Sequence, residues 1–321
     1  MLNKILLTGG AGLIGKSLAS ELLKNNYKVS ILDLPKQVSR NKKFFKSNPS
    51  IRVFRGSITN SKVCVNAAKN IDCIIHLAAM LGVKNTDNNQ NGCIKINVEG
   101  TENILKASIK NKIKRFIFIS SSEVYGEPKK NPIKETDKLY GKSIYAISKL
   151  IGEKLVKKYC DKNKKMKFNI LRLFNTYGEG QVAQFVIAKF IKDSKKNREI
   201  IINGNGNQIR SYAYSNDVAM GIQKLLLSKN TLNKTYNLGN SNEVISLKQL
   251  AKKIRYLSKT KIKIKILNNF NNSDRDKTRE TYKRHCSTIK AKKDFGYNPK
   301  TKLITGLQRM YNQKIIYNFW P

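Results

Sequence analysis

The chain has 321 residues, of which 40% are apolar, so it is long enough for one large domain or two modest ones with an ordinary core. It begins without a signal-peptide pattern, and no stretch approaches ~20 uninterrupted apolar residues, so we expect neither secretion nor a membrane span. The 63 Lys and Arg residues outnumber 21 Asp and Glu, which gives a net charge of +42. Because the lysines are dispersed and Lys, Asn and Ile are over-used together, we interpret this charge as compositional bias and expect no dedicated nucleic-acid partner.

Side chains that commonly bind metals or form disulfides are few and scattered. The number of cysteines is odd, no Cys-x-x-Cys pair occurs, and the chain has only two histidines, His76 and His285. This pattern favours reduced structural thiols in a cytoplasmic protein and argues against a histidine-built metal site. The cysteines are Cys64, Cys73, Cys93, Cys160 and Cys286.

The first half of the chain alternates short apolar runs with helical patterns. The runs predict strands over Lys4–Thr8, Lys28–Leu32, Ile51–Phe54, Ile71–Leu77, Arg115–Ser120 and Phe168–Leu173. The helical patterns cover Leu13–Asn25, Gly92–Asn111 and Ser143–Cys160. Nearly continuous apolar strands that alternate with helices are typical of a parallel sheet covered on both faces. We therefore predict an α/β fold with a doubly wound parallel sheet of the Rossmann type.

The rhythm changes after Asn175. Helical patterns over Gln184–Ser194, Asp217–Ser228 and Leu247–Ser258 are separated by turns, of which 203–207 is a Gly/Asn cluster. Phe270–Lys277 is polar and predicts a loop. We predict a first domain over 1–175, which 208–240 rejoins, and a smaller mixed C-terminal lobe over 176–321 that binds the substrate.

A glycine-rich loop follows the first predicted strand and opens the first predicted helix. It reads Thr8-Gly9-Gly10-Ala11-Gly12-Leu13-Ile14-Gly15. Gly9 permits a tight turn, Gly12 lets a pyrophosphate approach the backbone, and Gly15 allows the helix to pack closely on the strand. The helix start at Leu13 and Ile14 offers free N–H groups to phosphates. The loop therefore predicts a dinucleotide site.

Asp33 ends the second predicted strand, 18 residues after Gly15. A carboxylate there accepts hydrogen bonds from the adenosine ribose hydroxyls and repels a 2′-phosphate, which favours NAD over NADP. The alternative is a turn or helix cap before Pro35.

Tyr145 and Lys149 form a candidate catalytic pair. Their spacing of four places them on one face of a helix. An ammonium beside a phenol favours the phenolate, so we expect the tyrosine pKa to fall from ~10 toward neutrality. A phenolate of this kind acts as a general base on a hydroxyl while the carbon-bound hydrogen leaves as hydride to a nicotinamide. Ser121 ends a predicted strand nearby, where its hydroxyl would orient the reacting oxygen or relay the proton.

The glycine spacing and Tyr145-x-x-x-Lys149 resemble the extended short-chain dehydrogenase/reductase family, and the match spans nearly the whole chain. Further segments occur in family order and point to its nucleotide-sugar branch. They are His76–Ala79, Asn97–Thr101, Ser120–Gly126 and Leu171–Gly178. The resemblance implies an NAD cofactor, a nucleotide-sugar substrate that is most commonly a UDP-sugar, and a homodimer formed through the helices near 92–111 and 143–160.

The resemblance also implies which side chains line the cofactor. Ala78 and Ala79 would lie along it, whereas His76 itself is expected to be structural. Ser57 and Ile58 stand where the family usually has an acid that contacts adenine, followed by an apolar residue. A serine at that place still forms a hydrogen bond, although a weaker one.

Three side chains are implied in substrate binding. Asn175 matches a family asparagine that contacts the sugar diphosphate, and Arg210 follows the Gly/Asn turn where the family has a diphosphate-binding arginine. Arg284 resembles a late arginine that completes the nucleotide pocket. The alternative for both arginines is an unpaired surface position in a very basic protein.

Asn97 matches a family asparagine that holds a water or a backbone kink, or else caps a helix over Val98–Ile109.

Glu123 bears most directly on the reaction, and it leaves the outcome open. In the family a glutamate here occurs in sugar dehydratases, in UDP-glucuronate decarboxylases and in many epimerase-like members, and it also serves as a structural hydrogen-bond acceptor. Ser122 lacks the acid that dehydratases place beside it, and Cys286 and Ser287 replace a common Pro-Asp. Our first interpretation is a nucleotide-sugar 4-epimerase similar to UDP-glucose 4-epimerases. Decarboxylation, 4,6-dehydration and a non-catalytic NAD- or RNA-binding protein follow as alternatives.

Overall fold

The computed structural model describes residues 2–270, 273 and 277–313. The first strands in chain order are β1 Lys4–Thr8, β2 Lys28–Asp33, β3 Arg52–Arg55, β4 Cys73–His76, β5 Arg115–Ser121, β6 Lys167–Leu173 and β7 Thr176–Tyr177. They are followed by β8 Ile200–Asn203, β9 Ile209–Ser211, β10 Ala213–Tyr214, β11 Lys234–Leu238, β12 Val244–Ser246, β13 Ile264–Leu267 and β14 Lys283–Arg284.

The helices lie between the strands along the chain, and the last two follow β14. In chain order they begin with α1 Leu13–Lys24, α2 Pro35–Arg40, α3 Lys42–Lys46, α4 Ser61–Ala67, α5 Val83–Asn88, α6 Gln90–Ile94 and α7 Gly100–Lys110. They continue with α8 Ile144–Lys162, α9 Val186–Lys195, α10 Ser215–Leu227, α11 Leu247–Ser258, α12 Ile289–Phe295 and α13 Leu303–Asn312. Within the described part of the chain, none of these helices has the length and apolar character that a membrane span requires.

Seven strands form one parallel sheet in the order β3-β2-β1-β4-β5-β6-β11. The predicted doubly wound α/β fold is therefore confirmed. The order of the strands reverses between β1 and β4, and ligands of such sheets bind outside the carboxyl ends of the strands at that point. The sheet thus fixes where the glycine loop after β1 meets the segments after β4 and β5.

The central strands form because both of their faces are buried. Ile5 and Leu7 point into one apolar cluster, which α1 and α10 cover, and Leu6 points into a second cluster on the opposite face. The second cluster is covered by α4, α7 and α8. Alternate side chains of a strand point to opposite faces, so a continuous apolar run supplies both layers at once.

The smaller C-terminal lobe has its own core. Apolar side chains of α9, α11 and α13 pack on β8 and β12, and β9 pairs with β12 and β14. In the other direction, α10 packs on α1 and β11 pairs with β6, so this part of the chain returns to the sheet. The boundaries at 175, 208 and 240 stay a prediction. Most of the predicted loop Phe270–Lys277 lies outside the described residues.

The predicted helix over Gly92–Asn111 is interrupted. A π-helical turn over Lys95–Glu99 separates α6 from α7, so the prediction that Asn97 caps a helix beginning at Val98 is wrong. The Asn97 side chain is buried. Its Oδ1 accepts a hydrogen bond from the Met80 amide at 2.7 Å, and its Nδ2 donates to Ser148 Oγ at 3.0 Å. A turn of this kind re-aims a side chain inside a helix, here toward the segment after β4.

Helix α8 packs unusually closely on β5. The hydroxyl of Ser143 caps its first turn by accepting a hydrogen bond from the Ala146 amide at 3.1 Å. Farther along, Gly152 faces the Phe118 ring, and a Cβ atom at this glycine would lie 2.4 Å from Phe118 Cζ. The absence of a side chain at Gly152 therefore sets the distance between α8 and the strand that ends at Ser121.

Replacing Gly152 by Ala should destabilise the protein, although alanine is the better helix former. The added methyl must displace a buried ring in a close-packed core, and overpacking of this kind costs about 1–3 kcal/mol. Thermal and denaturant unfolding measure the effect, with Lys157→Ala at an exposed position of α8 as the control. Equal stability of the two variants would contradict the close packing described.

Candidate active site

The glycine loop after β1 is shaped by backbone contacts that leave no room for side chains. Gly9 has a φ of +69°, and a Cβ there would lie 2.7 Å from the backbone N and Cα of Ala78. A Cβ at Gly15 would lie 2.6 Å from the backbone of Gly10. Helix α1 begins after Gly12, which has no side chain to cap it. The loop therefore presents uncapped helix N–H groups beside a close backbone approach, which fits a dinucleotide pyrophosphate.

Asp33 lies at the end of β2, beside this loop. Its Oδ2 accepts a hydrogen bond from the Ala11 amide at 2.9 Å, and its Oδ1 accepts one from the Leu34 amide at 2.8 Å. Burial raises the pKa of the carboxyl, and the two amide hydrogen bonds oppose that rise. The position fits the predicted ribose contact, and helix α2, which begins at Pro35, has no side-chain cap.

The other predicted cofactor residues lie along the same edge of the sheet. Ser57 follows β3 and forms a small turn, in which its Oγ lies 2.8 Å from Thr59 Oγ1, and Ile58 is buried against Gly100. Ala78 and Ala79 follow β4 beside the glycine loop. Their contacts with a cofactor stay a prediction, and the chain offers a cradle that NAD fits.

His76 is held inside the sheet by hydrogen bonds on both ring nitrogens. Thr101 donates its hydroxyl hydrogen to the Asn97 carbonyl at 2.6 Å, so Thr101 Oγ1 accepts from His76 Nε2 at 3.0 Å. The other ring nitrogen, Nδ1, then accepts from Thr8 Oγ1 at 2.6 Å, which assigns the tautomer. Burial, together with the charge of Lys149, lowers the His76 pKa to about 3. The ring is a neutral structural link.

The predicted catalytic set meets at the end of β5. Tyr145 and Lys149 are both buried on α8, and the Ser121 side chain is near enough to the Tyr145 phenol to lower its pKa. Lys149 Nζ donates to the Ile119 carbonyl at 2.9 Å and lies 6.0 Å from the centroid of the Tyr145 ring. The structure thus places all three residues together.

The prediction that the pKa of Tyr145 falls below its ordinary value is wrong, because in this structure the pKa is raised. Burial raises the pKa of the phenol well above its ordinary value. The neighbouring Ser121 side chain opposes this rise, and the charge of Glu123 adds to it. Burial also lowers the pKa of Lys149 to about 8, against the influence of Cys93 and Glu153. The ammonium is engaged with a backbone carbonyl, so desolvation outweighs its attraction for a phenolate.

Glu123 and Arg284 form an ion pair beside this set. Arg284 Nη1 donates to Glu123 Oε1, and the two side chains are 4% and 15% exposed, respectively. Arg284 Nη2 also lies 3.5 Å from Asn175 Oδ1. The Nε–H of Arg284 is buried and has no hydrogen-bond acceptor among the residues that the structure describes. A buried guanidinium with an unsatisfied donor is suited to an anionic group of a ligand.

Arg210 is paired in the same way. Its Nη2 donates to Glu280 Oε1, with both side chains 7% exposed, and its Nη1 donates to the Ile209 carbonyl at 2.8 Å. Strand β14 pairs with β9, so Arg284 lies directly opposite Arg210. The structure therefore brings the two predicted phosphate ligands together, and rejects the alternative that they are exposed surface arginines.

Sequence reasoning singled out Glu123 but not its pairing with Arg284, and it missed Glu280 and a third buried pair, Glu153 with Arg172. Glu153 lies four residues after Lys149 and thus on the catalytic face of α8, which is a signal that the spacing contained. Glu280 carried no such signal, because its partner is 70 residues away in the chain.

The chain is similar to known proteins over most of its length. A family model described as the NAD dependent epimerase/dehydratase family matches residues 5–239. The chain is 33% identical over 313 residues to a putative UDP-glucose 4-epimerase of Methanocaldococcus jannaschii, covering 96% of this chain and 97% of that protein. It is also 33% identical over 273 residues to a UDP-N-acetyl-alpha-D-glucosaminuronate decarboxylase of Bacillus cytotoxicus, covering 82% and 83% of the two chains.

Among solved structures, the chain is similar to UDP-glucuronic acid 4-epimerase from Bacillus cereus, in complex with UDP-glucuronic acid and NAD. The TM-score is 0.87 at 29% sequence identity, and the match covers 96% of this chain and 98% of the other. The same enzyme with a Tyr-to-Phe substitution, bound to a fluorinated substrate analogue and NAD, gives the same TM-score.

Replacing Asp33 by Asn should weaken the preference for NAD over NADP, because the amide neither repels a 2′-phosphate nor accepts hydrogen bonds from both ribose hydroxyls as strongly. Titrations with both dinucleotides measure the ratio of dissociation constants. Asp72→Asn is the control, since Asp72 accepts hydrogen bonds from the amides of Asn3 and Lys4 at the start of β1, at the opposite end of the sheet. An unchanged ratio in the Asp33 variant would remove its ribose role.

Proposed function

The chain belongs to the NAD dependent epimerase/dehydratase family, and on that premise we propose that it is an NAD-dependent nucleotide-sugar 4-epimerase. Its relatives and structural neighbours are NAD-dependent nucleotide-sugar enzymes. The single observation that carries the proposal is the convergence of Ser121, Tyr145 and Lys149 at the end of β5, next to the glycine loop. A non-catalytic NAD- or RNA-binding protein would not need this set.

The chemistry divides between the cofactor and the chain. When bound, NAD would supply the hydride acceptor, and the residues of the glycine loop and Asp33 would hold it. Tyr145 Oη takes the proton of the sugar C4 hydroxyl as general base, and the Ser121 hydroxyl orients that oxygen. The Lys149 ammonium lies 6.0 Å from the centroid of the Tyr145 ring, and its charge favours the phenolate against the opposing effect of burial. The resulting 4-keto sugar is reduced again on its other face, so the cofactor is not consumed.

The arginines bind the anionic part of the substrate. Arg210 and Arg284 lie side by side on β9 and β14, and guanidinium groups bind paired phosphate oxygens in a bidentate manner. Asn175 lies next to Arg284 and contributes an amide. A diphosphate that binds here must share both arginines with Glu280 and Glu123, or displace those carboxylates. The preferred substrate in this proposal is a UDP-sugar, as in the complexes of the structural neighbours.

A second candidate function is decarboxylation of a UDP-uronate. The observation that favours it is the Glu123–Arg284 pair, which is buried next to Tyr145 and supplies both an acid and a carboxylate-binding cation. Loss of carbon dioxide from a 4-keto uronate would follow the same first oxidation. Epimerisation and decarboxylation therefore share the oxidation at C4. They differ in the next step, which is reduction on the other face in the first and loss of carbon dioxide in the second.

We further propose a cytoplasmic homodimer formed through the helices near 92–111 and 143–160. All five cysteines are free and buried, which agrees with a reducing compartment. Ile147 is 43% exposed on α8, where an apolar contact with a second copy would cover it.

Replacing Tyr145 by Phe should abolish turnover and leave NAD binding intact. Removal of a general base costs about 10²–10⁴-fold in rate, whereas the ring still packs on α8. Proton NMR of the protein with UDP-glucose, UDP-N-acetylglucosamine, UDP-glucuronate and dTDP-glucose would follow the products. Tyr159→Phe is the matched control. The Tyr159 phenol lies on the same helix and donates a hydrogen bond to Glu102, which is not one of the proposed catalytic residues.

The products decide between the candidates. A product inverted at C4 supports the epimerase, UDP-xylose would establish the decarboxylase, and a 4-keto-6-deoxy sugar would establish a dehydratase. An active Phe variant would rule out Tyr145 as the base. No reaction with any of the sugars, together with salt-sensitive RNA binding, would revive the non-catalytic interpretation.

A further inference from the structure

A buried ion pair lies directly beneath the candidate catalytic segment. Arg172 on β6 donates two parallel hydrogen bonds to Glu153 on α8, from Nε to Oε1 at 2.9 Å and from Nη2 to Oε2 at 2.7 Å. Both side chains are 4% exposed. Ser120 Oγ also donates to Glu153 Oε1, at 2.6 Å. Two parallel bonds fix both the distance and the orientation of the groups that they join.

The same arginine extends the contacts to the turn after β5. Arg172 Nη1 donates to the Tyr125 hydroxyl at 2.9 Å, and that hydroxyl donates to Asn237 Oδ1 on β11 at 2.7 Å. The guanidinium carbon lies 5.0 Å from the centroid of the Tyr125 ring. Burial raises the Tyr125 pKa to about 12, despite the nearby arginine, so the phenol remains a donor. The five residues Ser120, Tyr125, Glu153, Arg172 and Asn237 are called the buried network below.

The buried network adjoins the catalytic residues on both sides of the site. Ser120 immediately precedes Ser121, and Tyr125 follows Glu123 by two residues in the turn over Ser122–Tyr125. On α8, Glu153 lies one helical turn beyond Lys149. The network therefore joins the segment that carries Ser121 to the helix that carries Tyr145, through side chains rather than through backbone pairing.

We propose that Glu153 and Arg172 are positioning residues of the active site, whose ion pair, with Ser120 and Tyr125, fixes Ser121 against Tyr145. This inference rests on the proposed function, because it takes Ser121, Tyr145 and Lys149 as the reacting set. Displacement of a reacting group by about 1 Å costs as much as ~10²-fold in rate, so such fixing affects kcat directly.

A role in stability alone makes a different prediction. Replacing a buried ion pair with apolar side chains is often neutral for stability, so the pair is weak evidence that the fold needs it. A purely structural network would lower the melting temperature and leave kcat, the pH profile and the geometry of the folded protein unchanged. A positioning network changes all three in the folded protein.

The first test removes two hydroxyl groups and leaves the ion pair in place. Ser120→Ala with Tyr125→Phe is compared with Ser108→Ala combined with Tyr297→Phe. The control also removes a buried serine hydroxyl and a buried phenol, which donate to the carbonyls of Ile104 and Gly239 away from the network. We expect kcat of the first double variant to fall about 10- to 100-fold, with KM and the NAD dissociation constant within about twofold of the control.

A crystal structure of each double variant with NAD measures positioning without any assay of turnover. The distance between Ser121 Oγ and Tyr145 Oη should grow by about 0.5 Å or more in the network variant and stay constant in the control. An unchanged distance, or a kcat equal to that of the control, overturns the positioning role.

The second test uses Glu153→Gln, which keeps the shape of the side chain and removes its charge. The Glu153 carboxylate favours the Lys149 ammonium, as does Cys93, while burial opposes it. Loss of the carboxylate therefore lowers the Lys149 pKa, and the decline of kcat on the alkaline side should begin at a lower pH than in the wild type. Glu102→Gln is the control, because Glu102 is a partly exposed acid on α7 that accepts a hydrogen bond from Tyr159. An alkaline limb that does not move would contradict the coupling of Glu153 to Lys149.

The two proposals fail in different ways. If Tyr145→Phe abolishes turnover while the network variant behaves as its control, only the positioning role is wrong. If the wild type turns over no nucleotide sugar, or Tyr145→Phe stays active, the proposed function is wrong, and the distance measured in the crystal structures still decides the positioning role.

Discussion

The contact between Gly152 and the Phe118 ring is the constraint on which the active site depends. It lets the backbone of α8 lie directly against the Phe118 ring of β5, so Tyr145 and Lys149 are held beside Ser121 at the end of the strand. The parallel sheet supplies the rest of the arrangement. Because β1, β4 and β5 are neighbours, the glycine loop, the segment after β4 and the catalytic segment open onto one edge.

The electrostatics of the interior differ from those of the whole chain. Although the protein carries a net charge of +42, its buried arginines at the site are each held by a carboxylate: Arg172 by Glu153, Arg210 by Glu280 and Arg284 by Glu123. Pairing keeps these cations from being buried alone, which would be strongly unfavourable. Two of the pairs face the candidate substrate site, and one lies beneath the catalytic segment. The excess of lysines therefore does not indicate the type of reaction, whereas the three buried carboxylates mark the arginines of the candidate site.

The central sheet could be predicted because its strands are almost wholly apolar. Arg115–Ser121 contains the continuous run Phe116–Ile119, and its prediction missed only the last residue. By contrast, β11 was not predicted, since Lys-Thr-Tyr-Asn-Leu has neither alternation nor an apolar run. It becomes a strand because β6 offers it a parallel partner, from Lys234 opposite Asn169 to Leu238 opposite Leu173. That is a tertiary effect with no local signal.

The candidate site divides in the same way. Residues in local motifs, such as Gly9, Asp33 and Tyr145, could be singled out from their spacing together with the order of the neighbouring motifs. The π-helical turn at Asn97 and the partners of Arg210 and Arg284 depend on contacts across the fold, which spacing does not contain. The Tyr145 pKa was predicted in the wrong direction because the spacing shows the nearby ammonium and not the burial that outweighs it.

The central claim is that hydride leaves C4 of a nucleotide sugar and returns to the same carbon within one site. The most direct measurement is NMR of the product formed from UDP-sugars that carry deuterium at C4. Our account predicts a product inverted at C4 that keeps the deuterium there, with none released to water or to free NADH. Loss of the deuterium from C4, or inversion at another carbon, would contradict it.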